Sequence, residues 1–257
     1  MPSEIVRPTS EQPLLSIVIP AYNEQQRLPQ SLRQIRDFVS RQPYAIEVIV
    51  VDNNSTDHTR GIAEEFVSEI HCLRVLIETI QGKGAAVRTG MLAAHGAYRF
   101  ICDADLSMPI DEVNKFLPPQ LDGYDVAIGS REAPGAVRYN EPTHRHLMGR
   151  VFNTIVRLFA VHGFQDTQCG FKMFRADIAE ALFPLQTLTG WSFDVEILYL
   201  AQQRGFRIVE VPVNWYYKDN TRIHPLRDSV AMFADVMTIR RRAHQGHYGP
   251  AAHDSTR

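Results

Sequence analysis

Three short aliphatic runs restrict this chain more than any other feature, because each ends on polar or acidic residues. Leu14-Leu15-Ser16-Ile17-Val18-Ile19-Pro20 gives way to Ala21-Tyr22-Asn23-Glu24, Ile46-Glu47-Val48-Ile49-Val50-Val51 ends on Asp52, and Tyr98-Arg99-Phe100-Ile101-Cys102 ends on Asp103-Ala104-Asp105. Leu28, Leu32, Ile35, Phe38 and Val39 recur at helical spacing, which predicts a helix over 27–40. The turn residues from Asp52 to Asp57 lead into a helix expected over 57–68, with Ser55 or Thr56 as its cap. A strand over 72–77 and a helix over 84–95 complete the alternation. Val/Ile-rich strands separated by helices are buried on both faces. The pattern therefore predicts an α/β fold with a Rossmann-like, mostly parallel central sheet and helices on both sides.

Ligands of such sheets bind beyond the carboxyl ends of the strands, where the acids of this chain cluster. If Asp103 and Asp105 continue the strand, they share a face and converge on one point. Two carboxylates that close repel unless a cation lies between them, and Mg²⁺ or Mn²⁺ bridging to a substrate phosphate would relieve the repulsion. The competing local reading is a helix N-cap at Asp105 with Asp103 merely exposed. Acidic residues at three separate strand ends favour a site. No GxGxxG follows the first strand and GxxxxGK[ST] occurs nowhere, so dinucleotide and P-loop readings lose their main support. Gly82-Lys83-Gly84 offers free N–H groups and one cation for phosphate, although alone it reads first as a plain helix start.

Together, Ser16 to Glu24, Val50 to Asp57, Gly82-Lys83-Gly84 and Asp103-Ala104-Asp105 resemble the nucleotide-binding half of family 2 glycosyltransferases, which have the GT-A fold. The resemblance implies that Asp52 contacts the base and that Asp103 and Asp105 hold the metal and the diphosphate. Pro20, Tyr22, Glu24, Lys83 and Ala104 complete the nucleotide-sugar site it implies. One departure stands out: Asn53 and Asn54 replace the second Asp and the Gly of the usual Asp-Asp-Gly-Ser turn. Asn tolerates left-handed backbone, so the turn should survive. Further along, DTQCGFK (166–172), WSFDVE (191–196) and VPVNW (211–215) resemble the polyprenyl-phosphate sugar transferases, most of all their dolichyl-phosphate β-glucosyltransferase branch. That implies a nucleotide sugar donor, UDP-glucose favoured over GDP-mannose, and a polyprenyl phosphate acceptor.

The residue chemistry is compatible with such an acceptor. Arg131 ends a strand over 125–128 and is placed for the diphosphate or the acceptor phosphate. Arg138, Arg145 and Arg150, with His144 and His146, lead into an apolar helix over 151–161. Arginines suit a phosphate monoester and apolar surface suits an isoprenoid tail, while a solvated basic loop is the plainer alternative. Asp194 and Glu196 lie two apart on one helix, hence on different faces; Asp194 is expected in the site, at the sugar hydroxyls, and Glu196 in a cap or a local pair. Family 2 enzymes invert. A phosphate monoester, with its second pKa near ~6, can attack without a dedicated base.

The remaining features set limits. With 257 residues and a net charge of −2, the chain can bury a full core and gives no general reason to expect nucleic-acid binding. Three widely spaced cysteines point to a reducing compartment. The polar, proline-containing start has no apolar h-region, and no stretch reaches the ~18–20 apolar residues of a membrane span. The expectation is a disordered lead over 1–13, a GT-A domain over 14–225 and an amphipathic helix with a tail over 226–257, in a cytoplasmic chain that is at most peripheral on the membrane face. Leu226, Val230, Met232, Phe233, Val236, Met237 and Ile239, followed by Arg240-Arg241-Arg242, suit an interfacial helix, or equally one packed on its own domain or on a second copy in a homodimer. Other readings are a nucleotidyltransferase, for which the first turn lacks a basic glycine-rich loop, a catalytically silent nucleotide-sugar-binding module, and a transferase to a soluble hydroxyl, for which Gln202 to Gly205 only faintly resembles the usual QxxRW.

Overall fold

The structure, a computed structural model, describes residues 12–142, 161–218 and 225–249. Strands β1 (Leu15–Ala21), β2 (Ile46–Asp52), β3 (Leu73–Ile77) and β4 (Tyr98–Ile101) pair in parallel in the order β3-β2-β1-β4. Helices α1 (Leu28–Arg41), α2 (Thr59–Glu65) and α3 (Lys83–Ala93) connect them. Alternation along β1 sends Leu15, Ile17 and Ile19 to one layer, with Leu28, Leu32, Ile35 and Phe38 of α1. Val18 faces the other, with Ile49, Val51 and Ala86, Val87 and Met91 of α3. Both faces of the sheet are thus buried, as runs of uninterrupted Val and Ile require.

The sheet continues through β7 (Lys172–Arg175), β5 (Val126–Ser130) and β8 (Ile208–Pro212), giving seven strands in the order β3-β2-β1-β4-β7-β5-β8. β7 runs antiparallel to both neighbours, β4 and β5. No periodicity in the sequence announced it, because it is four residues long and begins on a lysine. A separate parallel pair joins β6 (Val137–Tyr139) to β9 (Asn214–Tyr216). Helices α4 (Ala176–Leu182), α5 (Phe193–Gln203) and α6 (Pro225–His244) cover the α3 side of the sheet. α6 packs through Met232, Val236 and Ile239 and leaves Phe233 and Met237 exposed. Among the described residues, no helix is long and apolar enough to cross a membrane. The anticipated helix over 151–161 falls outside the described residues, apart from Val161.

Two local expectations need correcting. Neither Ser55 nor Thr56 caps α2, which starts after His58 without a side-chain cap. Instead, Ser55 Oγ accepts a hydrogen bond from the Asn23 N–H (3.0 Å), and Thr56 N–H donates to Asn23 Oδ1 (2.8 Å). The two residues staple the β2 turn to the β1 turn. The helix itself is shorter than expected, ending at Glu65 and passing into a 3₁₀ turn over Phe66–Ser68.

Candidate active site

The acids beyond β4 do not continue the strand. Pairing ends at Ile101, and Asp103 to Ser107 form a tight turn in which the Leu106 N–H donates to Asp103 O (3.1 Å) and Leu106 takes φ +46°. The two carboxylates therefore do not share a face by strand alternation; both lie on this turn, each facing its own cation. The N-cap alternative fails too, since Asp105 Oδ1 accepts from the Ser107 N–H (2.9 Å) and the following 3₁₀ helix starts only at Ile110. β9 is fastened to this turn by Tyr216 N–H donating to Ser107 O (2.7 Å) and by Lys218 Nζ donating to Asp105 O.

Three strand ends meet here through their side chains. Lys83 Nζ, at the start of α3, lies 2.5 Å from Asp103 Oδ1 and over the exposed Trp191 ring, 5.5 Å from its centroid. Arg27 grips Glu24 with Nε and Nη2 (2.6 Å each) and places Nη1 3.7 Å from Asp105 Oδ2. Glu24 thereby orients Arg27, a residue that sequence reasoning did not select. Asn53 joins β2 to the Lys83 turn: its Nδ2 donates to Ile80 O (2.7 Å) and Glu78 O (3.2 Å), and its Oδ1 accepts from the Gly82 N–H (2.7 Å). Asn54 takes the left-handed conformation, φ +57°, and the turn survives its substituted residues. Gly82 has φ +136°, and a Cβ there would lie 2.2 Å from Thr189 O. The N–H groups of Gly82 and Ala85 are already bonded, the latter to Thr189 O (3.2 Å), so this turn presents fewer free donors than its sequence suggests.

Asp52 is 4% exposed, and its Oδ1 has no hydrogen-bond partner among the described residues. A buried acceptor left open at a strand end costs stability unless a ligand supplies the donor. Pro20 closes the same end of β1, and Tyr22 follows it, half-buried. Ala104 is buried within the acidic turn.

The second half surrounds Asp103 with buried ion pairs. Arg131 is bidentate to Asp166 (Nε–Oδ2 2.7 Å, Nη2–Oδ1 3.0 Å), and Asp166 Oδ2 also accepts from the Arg131 N–H (3.0 Å). Arg131 is therefore not a loose phosphate hook but a fixed charge, stacked on Trp215 with the ring centroid 5.5 Å away. Burial pushes the Asp166 carboxyl up, but the Arg131 guanidinium outweighs it and holds the group at about 2. Lys172, wholly buried, donates to Cys169 O (2.6 Å) and pairs with Asp194 Oδ1 (3.0 Å). Burial raises the Asp194 carboxyl despite Lys172 and Lys83, while Asp103, also pushed up by burial, is held below its usual value by Lys83, Lys172 and Arg131. Gly170 makes room for this cluster, because a Cβ there would lie 1.9 Å from Asp103 Oδ2.

Glu196 faces away from the cluster. It accepts from the N–H groups of Thr187 (3.0 Å) and Leu188 (2.8 Å) and from the Tyr248 hydroxyl (2.7 Å), fixing the loop that packs on Gly82 and Gly84. Arg138 is spent on Glu132 (2.5 Å) and Glu141 (2.6 Å). Arg145 and Arg150, with His144 and His146, lie outside the described residues.

A mostly parallel sheet with an antiparallel strand beside β4, an acidic turn after β4 and a lysine-headed helix facing it defines a GT-A glycosyltransferase. The chain belongs to glycosyl transferase family 2, whose sequence profile matches residues 16–183. It is 33% identical over 242 residues to the dolichyl-phosphate beta-glucosyltransferase of Dictyostelium discoideum, covering 88% of this chain and 73% of that one. With the human protein of the same name the identity is 32% over 257 residues, covering 94% and 78%. In structure it is similar to glucosyl-3-phosphoglycerate synthase from Mycobacterium tuberculosis in complex with UDP, with a TM-score of 0.64 and 20% identity over 93% of this chain and 81% of that one. The same enzyme in complex with Mn²⁺, UDP-glucose and phosphoglyceric acid gives 0.61 and 19%, over 93% and 80%. At those identities the likeness concerns the fold.

Proposed function

We propose that this glycosyltransferase moves a hexose, glucose in preference to mannose, from a nucleotide sugar to a polyprenyl phosphate, with inversion, forming a β-linked lipid-phosphate sugar. The observation that carries the reading is the meeting of three strand ends: Arg27, held by Glu24 after β1, faces Asp105 after β4, Lys83 pairs with Asp103, and Asn53, next to the open Asp52 Oδ1 at the end of β2, is joined to the turn before Lys83. The names shared by its relatives supply the acceptor.

In this reading Asp52 accepts an N–H of the base, with Pro20 and Tyr22 beside it, while Lys83 and Arg27 neutralise the diphosphate. Asp103 and Asp105 offer hard carboxylate oxygens, the donor type that suits Mg²⁺ or Mn²⁺. No three His, Cys, Asp or Glu side chains among the described residues form a complete metal cage, so substrate oxygens and water would fill the remaining positions. A bound ion would neutralise charge developing on the departing diphosphate. Arg145 and Arg150 take the acceptor phosphate, and the Arg131–Asp166 pair sets the field between the two substrates. The dianionic acceptor attacks in line and needs no base, so catalysis is mainly positioning and charge stabilisation. Asp194 would accept a hydrogen bond from a sugar hydroxyl as a fixed acceptor, without giving up its pair with Lys172. The exposed Phe233 and Met237 of α6, with the arginines that follow, support peripheral contact with the cytoplasmic face of a membrane.

The test is to incubate the protein with UDP-glucose, GDP-mannose and other nucleotide sugars, each with Mn²⁺ and a short polyprenyl phosphate, and to identify the lipid by mass. A hexosyl phosphate lipid formed best from UDP-glucose is expected. Formation of no lipid product from any donor would refute the assignment.

A further inference from the structure

Lys83 is steadied by a loop about a hundred residues further along the chain. Residues 186–191 lie against the first turn of α3: Gln186 Nε2 donates to Gly84 O (2.8 Å), the Ala85 N–H donates to Thr189 O (3.2 Å), and the Trp191 ring lies 5.5 Å from Lys83 Nζ. The fit is close, since a Cβ on Gly82 would lie 2.2 Å from Thr189 O. Wherever this loop sits, the base of the Lys83 side chain must sit with it.

Over 186–190 the loop is neither helix nor strand, so its backbone groups look to side chains for partners. Those side chains are held by α6 and the turn after it. Near the start of the loop, the wholly buried Glu196 accepts from the N–H groups of Thr187 (3.0 Å) and Leu188 (2.8 Å), and the buried Tyr248 hydroxyl donates to the same carboxylate (2.7 Å). Arg242 Nη1 donates to Thr187 Oγ1. Past its other end, beside Trp191, Ser192 Oγ donates to Asp235 Oδ2 (2.6 Å). α6 packs on the core through Met232, Val236 and Ile239, so these polar contacts are additional to what holds the helix in place. Glu196, Asp235, Arg242 and Tyr248 all lie beyond residue 183, where the match to the family profile ends.

We propose that Tyr248 and Asp235 are positioning residues for the donor site. Acting through the 186–192 segment, they hold Trp191 and the base of Lys83 so that the ammonium stands 2.5 Å from Asp103 Oδ1 and, on the function proposed above, beside the donor diphosphate. The inference rests on that function for its ligand and on the contacts just described for the clamp. It makes the C-terminal helix a working part of the nucleotide site and not only a cover for the sheet.

The test uses the two tryptophans of the chain, Trp191 and Trp215. Protein labelled with 5-fluorotryptophan gives two fluorine NMR resonances, assigned with Trp191→Phe, and Trp215, stacked on Arg131, serves as internal reference. Spectra, and UDP affinity by calorimetry with Mn²⁺ present, are compared for wild type, Tyr248→Phe and Asp235→Ala well below their melting temperatures. In both variants the Trp191 resonance should move while that of Trp215 stays. UDP binding should weaken about three- to tenfold, the range for contacts that act through a packed network, with the acceptor KM unchanged. A merely structural role would lower the melting temperature and leave the Trp191 resonance and the UDP affinity alone. If wild type binds UDP and both variants keep either its Trp191 resonance or its affinity, the clamp is overturned and the donor site stands. If wild type does not bind UDP, the donor site falls and the proposal with it. Should Asp235→Ala not fold, Tyr248→Phe, which loses a single oxygen atom, decides by the same criterion.

Discussion

The acids beyond β4 stay partly open to solvent, whereas those between β5 and α5 are locked into pairs. The side chains of Asp103 and Asp105 are 29% and 24% exposed and face Lys83 and Arg27. Those of Asp166, Lys172 and Asp194 are 5%, 1% and 8% exposed, and each is matched to one opposite charge. The first arrangement can exchange partners and so can take a ligand. The second cannot exchange partners without leaving a buried charge alone, which is costly. In the proposed function the parallel half of the sheet would handle the donor and the mixed half would fix the field around it.

Exchanging the two kinds of acid for neutral residues tests this division. Asp105→Ala should give the largest effect, a loss of several kcal/mol of leaving-group stabilisation, or on the order of 10²- to 10³-fold in kcat. Its melting temperature should barely move, because the side chain makes one backbone hydrogen bond and one long ion pair. Near-normal turnover in the folded variant would remove the acidic turn from the chemistry.

Gly170→Ala joins the halves, since a methyl there would push Asp103 aside. Misplacement of that order costs about 10²-fold in rate. Steady-state kinetics should show the loss in kcat with the acceptor KM little changed. Unaltered kinetics would mean that Asp103 is free to settle elsewhere.

Much of the first region was legible in the sequence. Uninterrupted Val/Ile runs reveal strands buried on both faces, and Asp52, Asp103 and Asp105 stand where such strands must end. Contacts between distant residues were not legible. Arg131 finds Asp166 across 35 positions, and Lys172 looks from sequence like an ordinary surface charge, although it is wholly buried on a central strand. From sequence Arg27 is only the first residue of the helix expected over 27–40, whereas the fold sets it between Glu24 and Asp105. Asn53 read only as a turn residue, because its three hydrogen bonds reach residues 25 to 29 positions away.

Substituting Arg145 or Arg150 should raise KM for the lipid phosphate far more than for the nucleotide sugar. A lost charge-assisted phosphate contact is worth roughly 1.5–3 kcal/mol, or about ten- to a hundredfold. Equal effects on both substrates would contradict a role specific to the acceptor.

The smallest effect concerns the locked pairs and appears in acid. Asp166 is held at about 2 in the folded protein, with Arg131 overcoming the effect of burial, against an ordinary value of about 3.9 unfolded. A carboxyl depressed by folding contributes stability above its unfolded value and loses it as pH falls toward the folded one. About 2 kcal/mol should therefore disappear between roughly pH 4 and pH 2. Denaturant melts across that window should show this slope in the wild type and a shallower one in Asp166→Asn, and identical slopes would mean the pair does not hold Asp166 ionised.

The most direct measurement compares acceptors side by side, with polyprenyl phosphate and the matching free polyprenol offered to the protein with UDP-glucose and Mn²⁺. The phosphate should be glycosylated and the alcohol should not, because an alcohol has a high pKa and no side chain here is assigned to deprotonate it. Glycosylation of the free polyprenol at a comparable rate would contradict the self-ionised acceptor and turn attention to Asp194 as a general base.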